Sequence, residues 1–240
     1  MADLSDRPQF AVTVDLVVLT IRADRLCVLV TRRPAEPYAG RSALPGGFVR
    51  VDETLHSAAQ RALASLAAVA AVAADEVHLE QLASYSEPGR DPRMPTVSVS
   101  WLAVAPDALE PSAPGQDVVR WVPVDDLLRG RPLAFDHRRI LLDGVERAQA
   151  KLEYSTIGTA FCGEEFTIAD LRRVYEVVWG RRLDPGNFHR KVTGADGFVV
   201  ETGEHVTRRG GRPAQLYRRG RAELLHPPLT RRSFHPSAPA

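Results

Sequence analysis

From residue 10 the chain reads FAVTVDLVVLTI, apolar or β-branched at nearly every position, then turns at Ala23-Asp24-Arg25 and returns as LCVLVTRR. Two such runs around a short polar turn predict a β-hairpin inside a sheet. The following RPAEPYAGRSALPGG is rich in Pro and Gly and reads as a loop. Over 54–72 alanine and leucine dominate without Gly or Pro, which predicts a helix with Asp52 or Thr54 as its N-cap. HLEQLASYSE and TVSVSWLAVA suit two more strands around the turn-rich PGRDPRMP, and VVRWVPV a short one before a helix at DDLL. Asp136 is placed to cap a helix from His137 to about Glu153, with His137 stacked at a domain junction, after which YSTIGTAFCGEE breaks the pattern. Strands mixed with helices imply a layered α/β domain.

A second unit follows. Thr167 precedes IADLRRVYEVVWG, where Ile168, Leu171, Val174, Tyr175 and Val178 share one helical face and Gly180 ends the helix. Asp184 then caps PGNFHRKVT, with Pro185 in the first position and Gly194 or Gly197 closing it. FVVE and QLYRR predict two strands joined by the long basic hairpin TGEHVTRRGGRPA. Helix, tight turn, helix and basic hairpin is the layout of a winged helix-turn-helix. The Pro- and Ser-rich end, over 223–240, is expected to be a disordered tail.

Composition narrows the function classes. With 44% hydrophobic and 25% charged residues, the 240-residue chain is of ordinary globular composition and long enough for two domains. No run of about 18 apolar residues occurs and the start lacks a basic region leading into an apolar stretch, so a cytoplasmic protein without membrane contact is expected. Cys27 and Cys162 match no metal spacing, which suits reduced thiols, with Cys27 in the core. The net charge of +1 conceals a polarity: residues 1–150 carry 16 Lys and Arg against 20 Asp and Glu, residues 151–240 carry 15 against 10. A basic second half suits an anionic partner.

The chemistry concentrates at GGFVRVDETLHSAAQRALASLAAV, residues 46–69, where Gly47, Glu53 and Arg61 stand at the spacing G-x5-E-x7-R. This stretch resembles a Nudix box, G-x5-E-x7-R-E-U-x-E-E-x-G-U with U apolar, and implies a Nudix-like α/β/α sandwich with a mixed sheet. The second half departs from the pattern: Ala62, Ser65 and Leu66 occupy the glutamate positions and Ala68 that of the late glycine. Positions 62, 65 and 66 share a helical face, so carboxylates there would converge on hard cations that neutralise a diphosphate and activate water. Alanine, serine and leucine supply neither the charge nor the ligands, so the expectation is no metal, no catalytic residue and binding without turnover. Gly46 and Gly47 would let backbone approach a phosphate, Glu53 and Arg61 are spaced to pair and brace the loop, and Arg33 and Arg50 are placed to face anionic groups. RDPR at 90–93 resembles a feature of Nudix proteins that handle ADP-ribose, which implies that Arg90 and Arg93 clamp a diphosphate.

AFDHRRI at 134–140, followed by FTIADLRRVYEVVWG, LDPGNFHRKV and GGRPAQLYR, is similar to the Nudix-related NrtR-type repressors of NAD metabolism, over nearly the whole chain from Phe10 to Arg219. The resemblance implies a Nudix-like sensor over 1–153, for ADP-ribose or a related NAD-derived diphosphate, and a DNA-binding winged helix over 154–222. It requires no cofactor, and it implies a homodimer on a palindromic operator, released by the effector to relieve repression of NAD supply. In a winged helix the second helix enters the major groove. That makes Asn187, His189, Arg190 and Lys191 the reading candidates, with Asn187 suited to adenine or Arg190 to guanine, while Arg208, Arg209 and Arg212 of the wing meet backbone or minor groove. The alternatives are a Nudix hydrolase of ADP-ribose with unusual metal ligands and an appended winged helix, and a constitutive DNA binder whose Nudix domain is only a dimer platform.

Overall fold

A computed structural model describes residues 8–70, 77–106, 119–207 and 213–231. Strands β1 (Ala11–Arg22) and β2 (Arg25–Arg32) form the expected hairpin. Its two-residue turn places both Ala23 and Asp24 at positive φ, the backbone whose twist matches that of the flanking strands. The Pro-Gly stretch read as loop contains two short strands, β3 (Ser42–Ala43) on β2 and β4 (Gly46–Phe48) on β1. Their pairing partners lie far away in sequence, so local composition could not indicate them. Helix α1 (Leu55–Ala70) starts at Thr54, whose hydroxyl accepts from Ser57 N at 3.1 Å while the Ser57 hydroxyl accepts from Thr54 N at 2.8 Å. Of the two candidate caps, Thr54 holds the position.

Strands β5 (His78–Tyr85), β6 (Thr96–Val104) and β7 (Val119–Pro123) complete a mixed sheet, ordered β3-β2-β1-β6-β5 with β4 also on β1 and β7 on β2. Among the described residues only the central β1–β6 pair is parallel, with Thr13 opposite Ser98 and Asp15 opposite Ser100. After β7 comes the short helix α2 (Val124–Arg129). One sheet face buries Val14, Leu16 and Val18 under Ala58, Ala59, Leu63 and Leu66 of α1. The opposite face buries Val17, Leu19, Leu102 and Val104 under Ile140, Leu141 and Ala148 of α3 (His137–Tyr154).

This second core does not stop at the sheet. It runs on through a 3-10 turn (Thr156–Phe161) into α4 (Ile168–Trp179) and α5 (Pro185–Thr193), where Leu171, Tyr175, Phe188 and Val192 are fully buried. Thr167 and Asp170 form a reciprocal capping box at the start of α4, Gly180 ends it in the left-handed region, and Asp184 caps α5 through Asn187 N. The wing is β8 (Val199–Val206) paired with β9 (Ala214–Arg219), so β8 runs well beyond FVVE. Helix α3 joins the two halves: Gln149 Nε2 donates to Val178 O at 2.9 Å, and Trp179 Nε1 donates to Gln149 O at 3.0 Å.

The end of the chain corrects the expectation of a tail disordered from 223. Leu225 and Leu229 are buried, and their amides donate to Tyr154 O and Glu153 O at 2.9 and 2.7 Å. The prolines of HPPL interrupt regular pairing without preventing the flanking leucines from reaching the core; residues 232–240 lie outside the described part. Helix α3 approaches β1 closely because Gly144 lacks a side chain: a Cβ there would stand 2.8 Å from Val17 Cγ1. Helix propensity alone would favour replacement by about 1 kcal/mol, whereas overpacking of a filled core costs about 1–3 kcal/mol. Gly144→Val, whose β-branch adds two further methyls, is expected to lower stability by about 2 kcal/mol or more, read as a lower urea midpoint at an unchanged m-value; a midpoint at or above wild type would refute the close approach.

Candidate functional site

A cleft of about 330 Å³ opens where β1, β4, the middle of α1 and the RDPR loop meet the beginning of α3. Gly46 and Gly47 line it, and Gly46 is required by the pairing of β4 with β1, since a Cβ there would fall 2.1 Å from Val14 O. Ala62, Ser65 and Leu66 line it as well, so the three positions of the departed glutamates face the cavity. The Ser65 hydroxyl is turned inward onto Ala62 O at 2.7 Å. The cleft carboxylates, Asp15 and Asp91, are held by Ser98 and by Arg93. Among the described residues no group of three or more His, Cys, Asp or Glu is arranged to hold a metal ion. The donor set therefore does not fit the divalent cations that a Nudix box implies, and no chemical step is derived through them.

Arg90 and Arg93 both line the cleft, and each is bidentate to a carboxylate of this chain. Arg90 has only 4% of its side chain exposed and forms two hydrogen bonds with Asp136, at 2.9 and 2.7 Å, with Asp15 at 3.6 Å. Asp136 occupies the N-cap position of α3 but makes no side-chain cap bond, because its carboxylate is committed to Arg90. Arg93 is bidentate to Asp91, at 3.0 and 2.6 Å, yet stays 40% exposed, with its guanidinium 5.4 Å from the Phe48 ring and 5.6 Å from Phe135. Arg33 donates to Pro37 O at 2.7 Å and lies 4.7 Å from the Phe135 ring. Phe135 itself sits at φ 52, an uncommon backbone for a bulky residue, and thereby brings its ring between the two arginines. The rim is thus cationic and aromatic, suited to phosphates and a flat base.

Arg50, Glu53 and Arg61 lie outside the cleft lining. Glu53 and Arg61 form a bidentate pair at 2.9 and 2.5 Å, Arg61 also donates to Phe48 O at 3.1 Å, and Glu53 accepts from Arg50 N at 2.8 Å. The Arg61 hydrogen bonds hold the Glu53 carboxyl down at about 2, so it stays ionised and braces the loop that carries Phe48. His137 lies under the cleft floor rather than at a domain junction: its Nδ1 accepts from Leu44 N at 2.8 Å, which leaves the proton on Nε2, 3.5 Å from Asp15 Oδ1. Burial lowers its pKa, although Asp15 acts in the opposite sense.

The basic half presents α5. Phe188 and Val192 point into the core, and His189 and Arg190 are exposed beside the half-buried Asn187 and Lys191. Arg190 donates to Asn187 Oδ1 at 2.9 Å, so two candidate base-reading groups already hold each other in plane on one helical turn. Arg208, Arg209 and Arg212 lie outside the described residues.

Two family models match the chain: NUDIX domain over residues 10–143 and NrtR DNA-binding winged helix domain over 158–219. The ADPR responsive transcriptional repressor NtrR of Acinetobacter baylyi is 31% identical over 217 residues, covering 89% of this chain and 84% of that protein. The chain belongs to the NrtR-type Nudix regulators. The crystal structure of Shewanella oneidensis NrtR with a 27mer DNA matches at a TM-score of 0.77 and 34% identity, covering 87% of this chain and 93% of that one. The Nudix domain of the same NrtR, in a cocrystal with ADP ribose, matches at 0.51 and 32% identity over 61% of this chain and 94% of its own.

In this NrtR-type chain the cleft lining includes Arg33, Gly46, Gly47, Arg90 and Arg93, which the sequence singled out, and Thr13, Asp15, Phe48 and Phe135, which it did not. Asp15 carried a signal, a carboxylate amid VTVDLVV that no strand core would tolerate without partners. Phe135 carried none, since its placement depends on a backbone angle. Arg90→Ala would leave Asp136 and Asp15 without their shared cation. Removing one partner of a buried pair costs about 3–5 kcal/mol, so the expected result is a loss of that order in chemical unfolding, with a smaller loss for Arg93→Ala. Equal, small losses in both variants would show that Arg90 is no anchor.

Proposed function

We propose that this chain is an ADP-ribose-responsive repressor: its Nudix domain binds ADP-ribose or a related NAD-derived diphosphate without hydrolysing it, and its winged helix binds operator DNA. The observation that carries this reading is the continuity of α3, whose first residue, His137, lines the cleft and whose Gln149 is bonded to the end of α4. A ligand that favours one position of α3 would thereby favour one presentation of α5. The A. baylyi relative named as ADPR responsive, and the S. oneidensis NrtR structures with DNA and with ADP ribose, support both ligands. Ala62, Ser65 and Leu66 on the cleft support occupancy without turnover. The protein is cytoplasmic and acts as a homodimer, since one short reading helix needs a second half-site about 34 Å along the duplex. The operator is then palindromic, the regulated genes supply NAD, and no cofactor is needed.

The test is calorimetric titration of ADP-ribose into the free protein and into its complex with a duplex selected from a random pool. If ligand weakens DNA binding about tenfold, DNA must weaken ligand binding equally, a coupling of about 1.4 kcal/mol. Equal affinities in the two titrations would reduce the Nudix domain to a dimer platform. The same samples with magnesium or manganese are expected to release no AMP; AMP at enzymatic rates would replace the sensor with a hydrolase.

A further inference from the structure

The central strands carry apolar residues on the α3-facing side over most of their length, Val17 and Leu19 on β1 with Leu102 and Val104 on β6. Towards the cleft the same side becomes polar: Thr13 and Asp15 on β1 stand opposite Ser98 and Ser100 on β6. All four are buried, and Thr13 and Asp15 line the cleft. Polar groups in such a place are normally satisfied; among the described residues Thr13 Oγ1 is not, and Asp15 Oδ1 has only a long contact with His137. Thr13 is 9% exposed, and its Oγ1 has no hydrogen-bond partner among the described residues. Asp15 accepts one hydrogen bond, from Ser98 at 2.5 Å on Oδ2; Nε2 of His137 and Nη2 of Arg90 remain at 3.5 and 3.6 Å, past good hydrogen-bond distance. Ser98 is itself shared with Ser100 at 3.2 Å and has no proton to spare for Thr13.

A carboxylate with unused lone pairs beside an unpaired hydroxyl calls for O–H donors from outside the chain. The sign of the charge sorts them. A phosphate would meet Asp15 as a like charge at the floor, while Arg33 and Arg93 offer it cations at the rim. Neutral sugar hydroxyls suit the floor, because each donates to a carboxylate or hydroxyl without adding charge. We infer that Thr13 and Asp15 form a subsite for the hydroxyls of the uncharged terminal sugar of a nucleoside diphosphate sugar, and that this floor sets the preference for such a ligand over the bare nucleoside diphosphate. The inference rests on the reading that this cleft holds ADP-ribose, and it fixes the ligand's direction: sugar at the floor, diphosphate against Arg33 and Arg93, base at the aromatic rim.

The experiment compares ADP-ribose with ADP, which lacks the terminal ribose and ends in a phosphate with one more ionisable oxygen, by calorimetric titration of the full chain without added metal. Wild type is expected to prefer ADP-ribose by about tenfold or more, the worth of a hydrogen bond to a charged group. Asp15→Asn should abolish most of that preference while leaving ADP affinity unchanged. Thr13→Val should reduce it about threefold, in line with one neutral hydrogen bond. Because Thr13→Val is isosteric and removes an orphaned buried hydroxyl, its melting temperature should match or exceed that of wild type, which separates lost recognition from lost folding. Equal weakening of both ligands, or unchanged preference in both variants, would overturn the subsite. A wild type that binds both ligands equally would also overturn it and leave the sensor reading standing, whereas a wild type that binds neither ends both.

Discussion

The bidentate contact between Arg90 and Asp136 is the constraint on which the rest of the molecule is arranged. It fastens the loop between β5 and β6 to the first turn of α3 and diverts Asp136 from the capping bond its position offers. A buried ion pair of this kind contributes little net stability, because desolvating two charges nearly offsets their attraction. What it supplies is position. With the start of α3 held there and Gly144 laid on Val17, the helix is registered against the sheet, and its far end carries Gln149 to α4.

That geometry explains why one chain can hold a ligand site and a DNA-reading helix without a flexible joint between them. The second core is continuous from Val17 and Leu102 on the sheet to Phe188 and Val192 on α5. Packed interiors yield by discrete rearrangement rather than by gradual bending. A ligand at the cleft therefore needs only to favour one packing of α3 over another by its difference in affinity for the two. Tight binding with no such difference would shift nothing.

Much of this was legible in the sequence where the signal is local. The β1–β2 hairpin, the boundaries of α4 and α5 and their caps at Thr167 and Asp184 follow from period, turn chemistry and capping residues within a few positions. The failures have a common cause in distance along the chain. Strands β3 and β4 are two and three residues long and exist only because β2 and β1 offer them edges. The RDPR motif supplied residues that do line the cleft, but nothing within it reveals that Arg90 is paired with Asp136, more than forty positions later. Likewise the prolines near the end masked Leu225 and Leu229, whose burial depends on the surface left open beside Glu153 and Tyr154.

The same distinction bears on how a broken motif should be read. In the first half of the Nudix box Glu53 and Arg61 hold each other and Arg61 also donates to Phe48 O, while the glycine that lets β4 lie on β1 is Gly46, one residue before the box's own Gly47, where a Cβ would meet nothing within 4 Å. The second half had only the metal to serve, and Ala62 and Leu66 now extend the core beneath the cleft instead. A motif whose residues carry two kinds of work loses them unevenly. Glu53 and Arg61 have a structural partner in each other, whereas carboxylates at positions 62, 65 and 66 would be expensive to gather on one face unless a cation neutralised them.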